Sequence, residues 1–221
     1  IDAANSDFQG VVTIVDNDGT PTVTIGDMTV NEDVGTVTIP VTLSSPSSVD
    51  TVIDIVTNTG TAGTADYTTT TTQVTIPAGQ TSATVTLVNI PITDDLLDEP
   101  NETFTVDGTL VSGTIDAANS DFQGVVTIVD NDDLPTVLIS SEQETEGDDL
   151  VFTVSLTNPS SVDTVVDIVT TTGTAGTDDY TSVTTQVTIL AGQLTASTTI
   201  TVPSTVDDIN EPDEIFTVNG T

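Results

Sequence analysis

The sequence contains no Lys, Arg or His, whereas Asp and Glu together number 35, so the formal net charge is −35 at pH 7. No basic side chain is available to form a salt bridge with any of these carboxylates. Their mutual repulsion opposes compact folding unless cations from solution neutralise them. Because no basic side chain can bind phosphate, nucleic acids, nucleotides and anionic lipid headgroups are excluded as partners.

Cysteine is also absent. This excludes disulfides and thiolate metal sites, and the lack of His removes the commonest nitrogen ligand of zinc, copper and nickel. The metal ligands that remain are oxygen atoms, which favours hard cations. No apolar run approaches the length of a membrane-spanning helix, so we expect no membrane insertion.

The hydrophobic content is sufficient for a folded core. A strongly acidic chain is often disordered, but disorder also requires few apolar residues, and here they make up 35% of the sequence. From residue 37 to 43, Val, Ile and Leu alternate with Thr and Pro, and shorter runs at 85–87 and 104–106 follow the same period of two. This alternation, rich in β-branched residues, predicts half-buried strands.

Internal repetition determines the domain organisation. Residues 1–18 recur without change at 115–132, and the segment 50–67 is closely matched by 163–180. The offset falls from 114 to 113 and then 112 along the chain, which indicates two single-residue deletions. We therefore expect a complete repeat at 19–132 and a second repeat at 133–221 that lacks its last strand. Residues 1–18 are then either the terminal strand of a preceding repeat or a donor strand.

Turn-forming residues separate the apolar runs at intervals typical of an all-β sandwich. About seven strands in roughly 110 residues match the immunoglobulin-like size class. A parallel β-helix is the alternative, but a period of about 114 residues is far longer than a coil of such a solenoid. The predicted fold is two tandem immunoglobulin-like, seven-stranded β-sandwiches.

Acidic residues of the first repeat gather at strand ends and in loops, at 31–33, 66, 94–95, 98–99, 102 and 130–133. Loops that are distant in sequence meet at one end of a sandwich, so these clusters can form one carboxylate-rich pocket. Calcium takes 6–8 oxygen ligands and tolerates irregular geometry, whereas magnesium retains more of its own water. The pattern favours a calcium site over a merely solvated acidic surface.

These residues resemble those of the Calx-beta repeat family. The matching motifs are Gly60-Thr61-Ala62 with Asp66-Tyr67, the run 94–99 leading to 102–104, and a terminal strand that ends in Asp130-Asn131-Asp132. The resemblance covers essentially the whole first repeat. It implies calcium ligands in that repeat at Glu32, Asp66, Asp94, Asp95, Glu99, Glu102, Asp130 and Asp132, with the carbonyl of Leu97 as a further ligand.

The second repeat offers a corresponding but smaller set, namely Glu146, Asp179, Asp207, Asp208, Glu211 and Glu214. Its loop from Asp208 to Glu211 is one residue shorter than the loop from Asp95 to Glu99, when the two Asp pairs are aligned. It also has no closing Asp-Asn-Asp. We therefore expect a weaker or incomplete site, unless another chain supplies Asp16 and Asp18.

Catalysis is not expected. Adjacent carboxylates such as Asp94 and Asp95 suit a metal better than general acid–base chemistry, and the chain has few aromatic residues to bind a substrate. Tyr67 and Tyr180 are expected to pack in the sandwiches with their hydroxyls hydrogen-bonded to the backbone, and Phe104 and Phe216 are expected in the cores.

These observations suggest a calcium-binding structural or adhesive repeat array, a stalk or filament segment at a cell surface or secreted, in which Ca²⁺ stiffens repeats and junctions. Extracellular calcium modules have dissociation constants near 10⁻⁴–10⁻³ M, which suits an extracellular location. The alternative is a calcium-sensing regulatory module of a larger protein. The expected partners are neighbouring repeats, with a head-to-tail homopolymer formed by strand donation as a further hypothesis.

Overall fold

In the part of the chain that the structure describes, all the long regular segments are strands. The computed structural model describes residues 10–83 and 88–221, and the expected strand at 85–87 lies outside them, as do residues 1–9 of the repeated segment. The first repeat contains β1 (Val23–Ile25), β2 (Met28–Asn31), β3 (Thr36–Ile39), β4 (Val41–Leu43), β5 (Thr51–Thr59), β6 (Thr71–Ile76), β7 (Val88–Pro91), β8 (Glu102–Ser112) and β9 (Gln123–Val129). The second contains β10 (Val137–Ile139), β11 (Asp149–Phe152), β12 (Val154–Leu156), β13 (Thr164–Thr172), β14 (Thr184–Ile189), β15 (Ile200–Pro203) and β16 (Phe216–Gly220).

In the first repeat a five-stranded sheet, in the order β2-β9-β8-β5-β6, packs across a common core against the pairs β1-β4 and β3-β7. All pairs are antiparallel except β2 with β9. Short 3-10 helices at Glu32–Val34 and Ala117–Asn119 connect strands. No helix within the described ranges has the length and apolar character needed to cross a membrane. The all-β sandwich prediction is confirmed.

The apolar run from 37 to 43 forms two strands rather than one. β3 pairs with β7, whereas β4 pairs with β1, and Pro40 separates them. Proline has no N–H to donate to a ladder, so it marks the point at which the chain changes partners. The carbonyl of Pro40 accepts a hydrogen bond from the N–H of Gly26 at 2.9 Å. This bond fixes the junction between β3 and β4 beside the turn between β1 and β2.

Aromatic stacking anchors each core below the loops that carry the acidic residues. Tyr67 stacks on Phe104 with ring centroids 3.9 Å apart, and Tyr180 stacks on Phe216 at 4.1 Å. Both tyrosines are buried, but within the described residues neither hydroxyl has a hydrogen-bond partner. The expected bond from each hydroxyl to the backbone is therefore wrong, and packing alone holds the rings.

The second repeat forms the pairs β10-β12 and β11-β15 and the three-stranded sheet β14-β13-β16. β16 pairs with β13 as β8 pairs with β5, but no strand within the described residues covers the other edge of β16. Phe216 and Val218 are consequently only half-buried, whereas their counterparts Phe104 and Val106 are fully buried.

Residues 10–22 form no regular structure, and their apolar side chains are among the most exposed of the chain. Val11, Val12, Ile14 and Val15 are 80–93% exposed. Residues 124–129 have the same sequence as residues 10–15. They belong to β9, in which Val126 and Ile128 are buried. The same sequence thus lies in two different environments among the described residues.

Among the described residues, the two repeats contact each other through hydrogen bonds to the backbone of Asp98, beside the acidic loops. The N–H of Asp98 donates to the carbonyl of Pro159 at 3.1 Å, and the carbonyl of Asp98 accepts from the N–H and the hydroxyl of Ser161, each at 3.0 Å. Asp98 lies between Asp95 and Glu99, so this loop faces both the acidic cluster and the next repeat.

We expect Gly60→Ala to destabilise the first repeat. A Cβ at Gly60 would lie 2.4 Å from the carbonyl oxygen of Thr103, a backbone atom that cannot move without shifting β8. Overpacking of this kind costs about 1–3 kcal/mol, which urea denaturation followed by circular dichroism can measure. Gly19→Ala is the control, because a Cβ there meets nothing within 4 Å. Equal stability of the two variants would contradict the packing described.

Candidate metal centre

The candidate ligands of the first repeat come from loops at one end of the sandwich. Glu32 opens the 3-10 helix after β2, Asp66 lies in the loop after β5, and Glu102 begins β8. The loop from Asp94 to Glu99 leads into β8, and Asp130 to Asp132 follow β9. Because β8 pairs with both β5 and β9, the ladder itself brings these segments together.

The segment Gly60-Thr61-Ala62 fixes the loop that carries Asp66 against the start of β8. The N–H of Ala62 donates to the carbonyl of Thr103 at 3.0 Å, and the hydroxyl of Thr61 accepts from the N–H of Thr103 at 2.8 Å. Gly60 lets the two backbones approach this closely. The carboxylate of Asp66 accepts from the N–H of Gly63, which orients it beside Glu102.

The carboxylates of Glu32 and Asp95 hold the loop after β7. The N–H of Asp95 donates to Oε1 of Glu32 at 3.3 Å, which ties the loop to the 3-10 helix. Oδ1 of Asp95 accepts from the N–H of Leu97 at 2.7 Å, which closes a tight turn. The loop therefore presents Glu99 towards the cluster in a defined conformation.

Two groups of carboxylates result. Oxygen atoms of Glu32, Asp130 and Asp132 lie within 4.8 Å of one another, and so do oxygens of Asp66, Glu99 and Glu102. Five of these six side chains, together with Pro100 and Ile128, line one small cavity, and Asp132 alone is not part of its lining. The two groups thus form one acidic cluster, which we call the first-repeat cluster.

Burial and like charge raise the pKa values in this cluster. The pKa of Glu32 rises to about 7, mainly through burial and then through the charge of Asp95, despite the hydrogen bond from the N–H of Asp95. The pKa of Glu99 rises to about 7 through burial and then the charges of Asp66 and Glu102. The pKa of Glu102 rises to about 7 through burial and then its interactions with Asp66. The carboxylates are held close together at an electrostatic cost.

Two carboxylate oxygens without hydrogen-bond partners indicate which kind of ligand the first-repeat cluster could bind. Oδ1 of Asp130 and Oδ2 of Asp132 are buried, and neither has a hydrogen-bond partner among the described residues. Burial also raises the pKa of Asp132, with a further contribution from the charge of Asp130. A buried carboxylate oxygen without a donor is destabilising unless a cation or proton satisfies it. The donor set is all oxygen, so the residues fit a hard divalent cation.

The remaining candidates of the first repeat lie around the cluster. Asp94 and Asp95 are close enough to contribute to the raised pKa of Asp132, and Asp95 also contacts Glu32. Leu97 is half-buried in the same loop, and ligation by its carbonyl stays a prediction. The structure thus brings the predicted loops together, while the assignment of each side chain as a ligand is a hypothesis.

The second repeat has a corresponding but more open cluster. Oxygens of Asp179, Glu211 and Glu214 lie within 4.8 Å of one another, and both glutamates are exposed. Partial loss of hydration and then neighbouring charges raise the pKa of both, with Asp207 the foremost charge at Glu211 and Asp179 at Glu214. Glu146 belongs to this second-repeat cluster, because its Oε1 accepts from the N–H of Asp207 at 2.7 Å.

The hydrogen bonds of the loop that leads to Glu211 show which of its residues corresponds to Asp95 in the first repeat. Asp207 accepts from the N–H of Ile209 at 2.6 Å and donates its N–H to Glu146, so it corresponds to Asp95. The two loops are then equal in length, and the expected shortening is wrong. Val206 stands in the place of Asp94. Asp208 is exposed and is not among the described neighbours of Glu211 or Glu214.

Asp16 and Asp18 lie in the exposed segment before β1. The N–H of Asp18 donates to Oδ1 of Asp16 at 3.2 Å, and neither residue belongs to either cluster within the described part of the chain. The segment would have to pair with a strand edge before these carboxylates could reach a cluster. The structure leaves that possibility as a hypothesis.

Sequence reasoning did not assign three residues near these clusters. Asn101 accepts a hydrogen bond from the N–H of Asp130 at 3.2 Å, which fixes the end of β9 beside β8. Asp133 and Asp178 contribute to the raised pKa values of Asp132 and Glu211. Each is adjacent in sequence to a residue that was assigned, so proximity along the chain was the signal available.

The family to which the motifs point is also matched by a family model. A family model described as "Calx-beta domain" matches residues 15–132 and 130–219. No curated protein shows significant sequence similarity to the chain. Among solved structures, CBD12 from CALX1.2 is similar at 17% identity and a TM-score of 0.44, over 90% of this chain and 79% of that one. The apo form of the Calx CBD1 domain is similar at 21% identity and a TM-score of 0.45, over 52% of this chain and all of that one.

Without metal, the first repeat should lose stability as pH rises from about 5 to about 7. The pKa values of Glu32, Glu99 and Glu102 are raised to about 7 from an ordinary 4.5, so the folded state binds more protons than the unfolded state in this window. Stability therefore falls as the pH rises through it.

Melting in a chelator at constant ionic strength, between pH 5 and pH 8, measures this dependence. A variant with Gln at all three positions should show a flatter profile. A melting temperature that rises with pH in the wild type would show that these carboxylates are not held at an electrostatic cost.

Proposed function

Since this chain belongs to the Calx-beta domain family, we propose that it is a calcium-binding β-sandwich module whose ion lies in the first-repeat cluster. The observation that carries this proposal is the pair of buried, unpartnered oxygens on Asp130 and Asp132 beside three glutamates with raised pKa values. The cofactor is Ca²⁺. We assign the clustered carboxylates to ion binding and propose no enzymatic activity for the module.

The chemistry of the site favours calcium over magnesium. The cluster offers six carboxylates from four segments of the chain, with Asp94 and Asp95 beside them. Calcium accepts many oxygen ligands in irregular arrangements, whereas magnesium demands near-octahedral geometry and retains water. The ion lowers the repulsion among the carboxylates and thereby stabilises the fold to which they belong.

The ion also acts on the junction between repeats. Asp98 belongs to the loop that presents Glu99, and its backbone binds Pro159 and Ser161 of the second repeat. An ion that fixes this loop therefore fixes the surface on which the second repeat rests. This supports a stalk or adhesive array in which Ca²⁺ rigidifies successive repeats, and we propose that it lies outside the cell, at a cell surface or secreted.

The alternative function is a calcium-sensing regulatory module. The same junction supports it, because an ion bound at one repeat would alter the position of the next. The calcium affinity distinguishes the two functions. A stalk outside a cell needs a dissociation constant of about 10⁻⁴–10⁻³ M, whereas a cytosolic sensor needs about 10⁻⁷–10⁻⁵ M.

Calcium should raise the melting temperature of the full chain, and magnesium should do so less. At about 100 times the dissociation constant the gain is about 2.7 kcal/mol, which corresponds to roughly 10 °C or more for a domain of about 100 residues. Asp66→Asn should remove most of the shift at the first repeat. Asp54→Asn is the control, since Asp54 is exposed on β5 and bonded to Gln73. Isothermal titration without heat and melting without a shift would refute the proposal.

Calcium should also narrow the distribution of distances between the two repeats. The chain lacks cysteine, so Gln80→Cys and Gln193→Cys, both at exposed positions, introduce one label site in each repeat. With a spin label on each cysteine, pulsed electron–electron double resonance should give a narrower distribution of label-to-label distances with Ca²⁺ than with chelator. Adding Asp66→Asn should abolish the narrowing. The same width under all conditions would argue against a role of the ion at the junction.

A further inference from the structure

The second repeat holds two of the segments that carry carboxylates of the first-repeat cluster. One is the loop after β7, because the carbonyl of Asp98 accepts hydrogen bonds from the N–H and the hydroxyl of Ser161. The other is the segment after β9, because Nδ2 of Asn158 donates to the carbonyl of Asp133, where the first repeat passes into the second. Both contacts come from one short stretch of the second repeat, residues 157–161.

These two contacts lie beside different halves of the cluster. Asp98 directly precedes Glu99, which belongs to one group of three carboxylates. Asp133 directly follows Asp132, which belongs to the other group. A shift of the backbone at either position would displace the carboxylate next to it. The 157–161 segment can therefore influence the geometry of both groups at once.

The first repeat fixes the neighbours of these two positions, but the second repeat fixes the positions themselves. Among the described residues, the backbone of Asp98 makes its hydrogen bonds to the second repeat alone. After β9, the N–H of Asp130 donates to Asn101 at 3.2 Å, which holds the start of the segment within the first repeat. Its other end is held where Asn158 binds the carbonyl of Asp133. The placement of the carboxylates between these bonds thus depends on both repeats.

The 157–161 segment is itself fixed on the body of the second repeat. Ser160 is buried, and its carbonyl accepts a hydrogen bond from the N–H of Gly192 at 2.8 Å. The N–H of Thr157 donates to the carbonyl of Thr136 at 3.1 Å, and the N–H of Thr136 donates to Oγ1 of Thr157 at 2.9 Å. Because the segment is anchored on both sides of Asn158, it can hold the first repeat in a defined position.

Comparison of the two repeats shows that the segment does not need asparagine for its own fold. Residues 44–48 of the first repeat align with residues 157–161, and both stretches end in Pro-Ser-Ser. Ser45 stands in the place of Asn158. The serine side chain is shorter and has no amide group to donate. The described role of the asparagine amide is therefore its bond to Asp133.

We propose that the 157–161 segment positions the calcium ligands of the first-repeat cluster, with Asn158 and Ser161 as its positioning residues, so that the second repeat raises the calcium affinity of the first. This regulation rests on the proposed function, since it requires that the cluster bind calcium. Asn158 and Ser161 are not members of the cluster and act through the backbone of Asp133 and Asp98. Because coupling between two binding events is reciprocal, the bound ion and the contact between the repeats stabilise each other.

Isothermal titration of the full chain with Ca²⁺ tests this regulation. Asp179→Asn, present in every variant, weakens the second-repeat cluster, so that the heat reports on the first-repeat cluster. In this parent chain, Asn158→Ser combined with Ser161→Ala should raise the dissociation constant about fivefold or more. Gln186→Ser is the matched control, because the amide of Gln186 donates to Asp167 within the second repeat at 2.8 Å. It should leave the dissociation constant unchanged.

Melting in chelator separates positioning from folding. Since the first repeat carries serine at the equivalent position, Asn158→Ser alone should melt like the parent chain and still bind calcium more weakly. If the double variant melts at a lower temperature than the parent, this single variant decides the result.

The same dissociation constant in Asn158→Ser, the double variant and Gln186→Ser would overturn the positioning role, while calcium binding by the parent chain would leave the proposed function in place. A parent chain that gives neither heat nor a melting shift with Ca²⁺ would refute the proposed function and the positioning role together.

Discussion

This structure depends on one constraint, the repulsion among its carboxylates. The chain has no basic side chain that could oppose this repulsion. In most proteins a buried acidic residue is stabilised by Arg or Lys, but here only backbone N–H groups, amides and hydroxyls are available. The structure nevertheless gathers Glu32, Glu99 and Glu102 at one end of the first repeat, and their pKa values rise to about 7. A divalent cation relieves this repulsion without adding a residue.

The β-ladder determines which carboxylates meet. β8 carries Glu102 at its start, and its two neighbours bring the Asp66 loop on one side and Asp130 on the other. The close approach at Gly60 and the bond from Asp130 to Asn101 fix both neighbours at that end. The core below is apolar and stacked, so the sandwich forms a rigid base on which a repulsive cluster can be held.

Much of this arrangement follows from the sequence, because period two, β-branched residues and an exact internal repeat each restrict the fold. The motifs around Asp66, Glu102 and Asp130 predicted that these residues lie at one end of the sandwich, and the structure brings them together there. The hydrogen bonds of individual side chains could not be predicted from these sequence patterns. The correspondence of Asp207 to Asp95 depends on which N–H each carboxylate accepts, and an alignment of adjacent aspartates misplaced it by one residue. Residue spacing likewise specified neither the stacking of Tyr67 on Phe104 nor the lack of a hydrogen-bond partner for its hydroxyl among the described residues.

The loops of the two repeats gather carboxylates in the same way. Asp179, Glu211 and Glu214 approach one another as Asp66, Glu99 and Glu102 do. Glu211 and Glu214 are exposed, whereas Glu99 and Glu102 are half-buried. Exposed carboxylates are screened by water and bind a cation weakly, whereas burial removes the water that competes with the ion. In the first repeat β9 pairs along β8, which begins with Glu102, and it leads directly into Asp130 and Asp132. The pairing of these two strands therefore brings carboxylates from both of them to the same end of the sandwich.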